Sequence, residues 1–212
     1  MSIQTALDNY KSLGNYFAPD YEQDNEVLTD FKKENPVLVK EQTNQLIEIL
    51  DNSEDITEKY FVADLLYLFD NFDIELLTPM LRTAINFKDP SFNRIFLRPC
   101  INAFGTKIVS ESLAENFSSG SLEERISISS LLYWLHPCDN GEAEALHRII
   151  LERANSTDNL IELYHYKLCY GSEIKHSDNI PNSAVELMKA INGNEEYETF
   201  LFSKLNWTKN GC

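Results

Sequence analysis

Two histidine–cysteine pairs are the residues of this chain whose types and spacing could hold a metal ion. His165 and Cys169 stand four residues apart, so a helix would place both side chains on one face. His136 and Cys138 flank Pro137, which is typical of a loop. A structural zinc site needs four such ligands close together, and no CxxC pair accompanies either set. We therefore expect buried or incidental side chains here, and neither a metal nor another cofactor.

Sequence motifs for covalent or nucleotide chemistry are also missing from the chain. It contains no GxSxG nucleophile motif and neither the GxGxxG nor the GxxxxGK[ST] phosphate-binding motif. Seven scattered glycines among 212 residues are too few to build a phosphate cradle. Carboxylates cluster between Asp51 and Glu75, but many stand near predicted helix starts, where they offset the helix dipole. These features predict a protein that is not an enzyme.

Net charge limits the partners that this chain can take. With 18 basic and 34 acidic residues, the formal net charge is −16. Such a field repels the phosphates of nucleic acids and anionic lipids, whereas it attracts and steers a basic protein. The alternative is that the acidity only keeps the protein soluble.

The predicted cellular setting is the cytoplasm. The four cysteines show no pattern of a disulfide framework, and the N-terminus lacks the basic and apolar regions of a signal peptide. The most apolar run, from Tyr60 to Phe69, has ten residues, which is too few to cross a bilayer. We expect no membrane attachment.

The elements that position these side chains follow a repeat. When Lys59, Arg94 and Arg125 are aligned, apolar residues come into step ten positions later at Phe69, Phe104 and Leu135, and Tyr170 continues the series. The intervals between these four apolar residues are 35, 31 and 35 residues. Such a period is too long for one helix and suits a helix–turn–helix unit.

Local signals predict where several of these helices begin and end. Asp89 and Pro90 are typical of a helix start, and Gly105 of a helix end. The segments Ser121–Glu124 and Ser183–Glu186 read as capping boxes. In the helix that ends at Gly105, we expect Pro99 to produce a kink. Cys100 falls on the apolar side of that helix, so we expect a buried and inert thiol.

This pattern resembles the HEAT repeat family. The resemblance is carried by a proline-containing first helix, a turn aspartate, an early arginine in the second helix and a small-residue end: Leu77, Pro79, Leu81, Asp89, Pro90, Arg94, Ala103 and Gly105. It implies an all-α fold, namely a right-handed α-solenoid of about five helix pairs over residues 36–207. Residues 1–35 would form an N-terminal helical cap. In such a fold Asp89 and Arg94 would link successive repeats.

The resemblance also implies which positions face a partner. In a HEAT-like stack the second helices line the concave side, and their polar positions face the groove. Those positions are Asp64, Tyr67, Arg98, Asn102, Ser130, Tyr133, Glu162 and Tyr166. Tyrosine and arginine are the side chains that most often dominate binding energy at interfaces. The alternative is that the tyrosines fill gaps between repeats.

The sequence therefore favours a non-catalytic protein-binding solenoid, and within that class an immunity protein that neutralises a basic, nuclease-type toxin. Two alternatives stay open. One is a general adaptor or scaffold domain of HEAT repeats. The other is a HEAT-like enzyme such as a lyase, although the chain lacks the His-Glu pairs of HEAT-like di-iron hydroxylases and the basic face of HEAT-like DNA glycosylases.

Overall fold

The computed structural model describes residues 1–13, 25–87, 93–135, 141–174 and 177–191. Within these ranges the chain is all-α, as the sequence predicts, and contains no strand. The α-helices are α1 (Ile3–Ser12), α2 (Glu26–Glu34), α3 (Lys40–Asn52), α4 (Ile56–Tyr67), α5 (Leu77–Asn86), α6 (Arg94–Ser119), α7 (Leu122–Leu135), α8 (Glu144–Ala154), α9 (Leu160–Tyr170) and α10 (Ala184–Ala190). No helix of the described ranges is long and apolar enough to cross a membrane.

The described residues divide into two compact units. The first unit contains those up to Val109, and the second contains those from Ser110 onward. The sequence predicts a boundary between a cap of residues 1–35 and a repeat domain of residues 36–207. That boundary follows the repeat pattern and not the compactness of the units, and it stays a prediction.

Helix α4 forms the centre of the first unit. Helices α1, α2 and α3 all pack against it. Since neighbours surround α4, apolar residues lie on several of its faces, and Phe61, Val62, Leu65 and Leu66 are fully buried. The Nζ atom of Lys11 in α1 reaches Asp55 at 2.7 Å, beside the first turn of α4. The N-terminal helix is therefore tied to the first predicted repeat by both apolar and ionic contacts.

Equivalent helices of the first unit run in the same direction. Lys40, the first residue of α3, pairs with Glu75 just before α5. Near the other end of α3, Arg82 of α5 donates to Asp51 at 2.8 Å. The two contacts join residues 35 and 31 positions apart, which matches the period read from the sequence.

The second unit shows the same relation between α7 and α9. Arg125 and Ser130 of α7 contact Glu162 and His165 of α9, with separations of 37 and 35 residues. Helices α8 and α10 also pack against α9. Each unit therefore contains a pair of parallel helices offset by about one repeat period.

Backbone geometry bears on the local predictions. The Glu124 amide donates to Ser121 Oγ at 3.2 Å and the Ser121 amide donates to Glu124 at 2.6 Å, so this capping box is confirmed. Ser183 caps α10 through the Glu186 amide at 3.2 Å, but the Glu186 carboxylate accepts from the Asn182 amide instead of closing the box.

The break predicted at the end of the Phe104-containing helix is at Gly105. Its φ of 82° and ψ of 157° interrupt α6, whereas Pro99 keeps helical backbone angles. The predicted helix end at Gly105 thus coincides with the break in α6, and the kink expected at Pro99 stays a prediction. Glycine adopts this positive φ without the steric penalty that a side chain brings. The predicted helix start at Asp89 and Pro90 lies outside the described residues.

Candidate functional surface

The predicted partner-binding residues of the first unit lie on α4 and α6. Arg98 and Asn102 are exposed on α6, while Asp64 and Tyr67 are half-buried on α4. Both side chains on α6 are therefore accessible to solvent. A residue must be exposed to contact a partner, and these two residues are.

Asp64 has a partner within the unit, on α1. The hydroxyl of Tyr10 in α1 donates to Asp64 Oδ2 at 2.6 Å. Burial disfavours the charged carboxylate and raises the pKa of Asp64 to about 6, although the hydrogen bond from Tyr10 acts in the opposite direction. The carboxyl therefore serves the contact between α1 and α4, which the sequence pattern did not reveal because Tyr10 is 54 residues away.

Ser130 of the second unit also has an internal partner. Its Oγ lies 2.9 Å from Nε2 of His165 and 3.3 Å from the Ile126 carbonyl oxygen. Desolvation lowers the pKa of His165 to about 4, so the ring is neutral at physiological pH. The arrangement satisfies two polar side chains between α7 and α9.

Tyr133 is the exposed aromatic residue of the predicted set in the second unit. Its exposed fraction is 69 %, and its ring meets the ring of Trp134 edge to face at 4.8 Å and 83°. Edge-to-face contacts between aromatic rings are favourable, so Trp134 limits the freedom of the exposed ring. A large, restrained aromatic side chain that faces solvent has the properties of an interface anchor.

The expectation that Glu162 and Tyr166 face a groove is wrong. Both residues are fully buried in the second unit. Glu162 accepts hydrogen bonds from Nε of Arg125 at 2.7 Å, from Nε of Arg153 at 3.1 Å, from Thr157 at 2.8 Å and from the Tyr166 hydroxyl at 2.8 Å. Two cations and two hydroxyls therefore compensate one buried carboxylate.

The Glu162 cluster has a clear electrostatic consequence. Burial raises the pKa of this carboxyl, but the hydrogen bonds from Arg153, Arg125 and Tyr166 outweigh it and lower the pKa to about 2. The cluster links α7, α8 and α9. The polar side chain of Glu162 suggests an outward-facing position in the sequence, whereas one of its two cationic partners, Arg125, lies 37 residues earlier.

The structure describes one of the two pairs considered as metal ligands, His165 with Cys169. His165 and Cys169 do share a face, with Sγ 3.8 Å from Nε2. Although Cys169 is exposed overall, desolvation of its sulfur raises the pKa of the thiol to about 11, so the thiol is protonated at physiological pH. No group of three or more potential ligands occurs among the residues with described positions. His136 and Cys138 lie outside them.

The predicted burial of Cys100 is confirmed. Its side chain is inaccessible to solvent, and the thiol contacts the Phe96 carbonyl oxygen at 3.4 Å. Burial raises the pKa of this thiol well above its usual range, which keeps it in the unreactive protonated form.

Comparison with known proteins adds no relative to this picture. No protein family, no curated protein and no solved structure matches the chain.

Proposed function

We propose that this chain is a non-catalytic, cytoplasmic protein-binding α-solenoid of HEAT-like helix pairs. Within that class we propose an immunity protein that neutralises a basic, nuclease-type toxin. The repeat architecture is supported by the parallel helix contacts in each unit, whose separations of 31, 35 and 37 residues agree with the period of the sequence.

The observation that carries the proposal is Tyr133. A tyrosine that is 69 % exposed contributes little to the stability of its own fold, whereas a partner that covers the ring removes the remaining apolar surface from water. The ring has few rotatable bonds, and its contact with Trp134 restrains it before binding. Less conformational entropy is then lost on association.

Charge supports a basic partner. The net charge of −16 repels acidic proteins and nucleic acids and accelerates encounters with a cationic domain. The exposed side chains of Arg98 and Asn102 add hydrogen-bond donors in the first unit, and Tyr67 adds a half-buried aromatic ring. Of the eight predicted contact residues, Tyr67, Arg98, Asn102 and Tyr133 are those we propose as contacts.

Co-expression with a basic nuclease domain encoded beside this chain's gene tests the proposal. We expect the cells to survive, and the purified proteins to form a complex in which the nuclease no longer cuts DNA. A nuclease that stays fully active with a tenfold excess of this chain contradicts the immunity function. So does a gene neighbourhood without any toxin domain.

Substitution at Tyr133 then tests the surface. We expect Tyr133→Ala to weaken binding of that nuclease domain by about 2 kcal/mol or more, which is roughly 30-fold, without a change in melting temperature. Leu168→Ala is the matched control, because Leu168 is also a large exposed side chain of the second unit, at 61 %. Equal effects of the two substitutions would show that Tyr133 is not an anchor.

A further inference from the structure

A cleft in the first unit lies between the ends of three helices. It encloses about 460 Å³. The C-terminal parts of α3 and α5 and the first turns of α4 line it, through residues that include Asp51, Glu54, Lys59 and Arg82. The volume falls within the range of roughly 300–1,000 Å³ that is typical of small-molecule sites.

Two of the four charged residues of this cleft form an ion pair, and the other two do not. Arg82 donates to Asp51 at 2.8 Å, so these two largely compensate each other. Lys59 and Glu54 have neither an ion pair nor a hydrogen bond with any other described side chain. Among the described residues, the cleft therefore presents one ammonium group and one carboxylate without an ionic partner.

Apolar side chains separate the charged groups. Ile56 is 38 % exposed, Phe87 is half-buried, and both line the cleft together with the buried Leu50. An apolar ligand body that covers Ile56 and Phe87 would remove their remaining surface from water, which is favourable at about 25 cal/mol per Å².

The dipoles of the three helices add to the charges of Lys59 and Glu54 in the cleft. Helix α4 begins at Ile56, so the positive end of its dipole borders the cleft near Lys59. Helices α3 and α5 end at Asn52 and Asn86, so their negative ends border the cleft as well. A ligand with only a cationic group is repelled by Lys59, and a ligand with only an anionic group is repelled by Glu54. A ligand that carries both charges can satisfy both residues.

We propose that this cleft binds a free zwitterion of about dipeptide size, with its carboxylate at Lys59, its ammonium group at Glu54 and its apolar body over Ile56 and Phe87. This site is separate from the surface around Tyr133 and does not depend on the proposed immunity function.

Nuclear magnetic resonance titration of the full chain with leucyl-leucine tests the proposal. We expect amide shifts at the residues that line the cleft, and at least tenfold weaker binding when the carboxylate is amidated or the amine is acetylated. This comparison needs no variant. Absence of shifts at the cleft, or equal binding of the free and capped dipeptides, would overturn the proposal.

Two variants assign each end of the ligand. With Lys59→Gln the protein should no longer distinguish the free carboxylate from the amide, and with Glu54→Gln it should no longer distinguish the free amine from the acetylated one. Lys33→Gln and Glu48→Gln are matched controls, because both residues are exposed in the same unit and neither lines the cleft. They should retain both preferences, and loss of preference in a control would overturn the assignment.

A protein segment could present the same two charges on side chains. A terminally capped Glu-Leu-Lys tripeptide represents that source. We expect it to bind at least tenfold more weakly than leucyl-leucine, because a cleft of about 460 Å³ suits a dipeptide. Tighter binding of the tripeptide would overturn the assignment of a free small molecule.

Discussion

Single carboxyl groups in the two units are stabilised or destabilised by the helices around them. Glu162 is fully buried, yet Arg125 and Arg153 keep it ionised, with a pKa lowered to about 2. Among the described residues Asp64 has no ion pair and accepts a hydrogen bond from the Tyr10 hydroxyl, and burial raises its pKa to about 6. The two residues consequently affect stability in opposite directions as pH changes.

Removal of the Glu162 charge should strongly destabilise the second unit. We expect Glu162→Gln to lower the free energy of unfolding by about 3 kcal/mol, because two arginines then lose their anionic partner in a buried site. Urea denaturation at pH 7 measures the change. Glu152→Gln in α8 is the control, since that side chain is 70 % exposed, and we expect a change within about 0.5 kcal/mol. Similar losses in both variants would contradict the role assigned to the cluster.

Asp64 predicts a dependence of stability on pH. The folded state raises its pKa from 3.8 to about 6, so the folded protein binds the proton more tightly than the unfolded chain. The contribution of Asp64 to stability is therefore fully present below about pH 4 and falls as pH rises to about 6. We expect Asp64→Asn to remove this loss and to raise the melting temperature at pH 7, relative to the parent chain.

The control for Asp64 is Asp70→Asn, because Asp70 is exposed in the same unit. Melting temperatures of both variants at pH 4 and pH 7 provide the comparison. If Asp64→Asn and the parent chain lose stability equally between these pH values, Asp64 does not have the raised pKa described here.

Some features of the helices depend on residues close in the sequence, and others depend on residues far apart in it. Only the first kind could be predicted from the sequence. The capping box at Ser121 and the break at Gly105 depend on neighbouring residues, so both could be read from the sequence. The burial of Glu162 depends on Arg125, 37 residues away, so a stripe on one helix could not show it. Likewise, the contact of Tyr10 with Asp64 joins helices that only the fold brings together.

The break in α6 should depend on glycine at position 105. Its φ of 82° is in a region that other residues adopt only with strain, whereas an added Cβ would meet no atom within 4 Å. We expect Gly105→Ala to destabilise the protein by about 1–3 kcal/mol through backbone strain alone. Chemical denaturation measures this, with Glu115→Ala in the same helix as a neutral control. A neutral Gly105→Ala would show that the break does not need glycine.

At the scale of the whole molecule, the distribution of charge connects fold and proposed function. The chain has 34 acidic and 18 basic residues, and several basic side chains are engaged in internal pairs such as Lys11 with Asp55 and Arg82 with Asp51. The excess negative charge is available to act at a distance. Composition was sufficient to predict this property, whereas the identity of the partner requires the shape and chemistry of the partner's own surface.

The association rate of this chain with a basic nuclease domain, the partner that we propose, tests the central claim most directly. Screening shortens the reach of charges from about 30 Å at 0.01 M salt to about 8 Å at physiological ionic strength. We expect fast association at low salt and at least a tenfold decrease in rate as the salt concentration rises to 0.5 M, because the negative field then no longer steers the cationic domain. An association rate that stays the same from low to high salt would contradict the account, and would show that the acidity serves solubility alone.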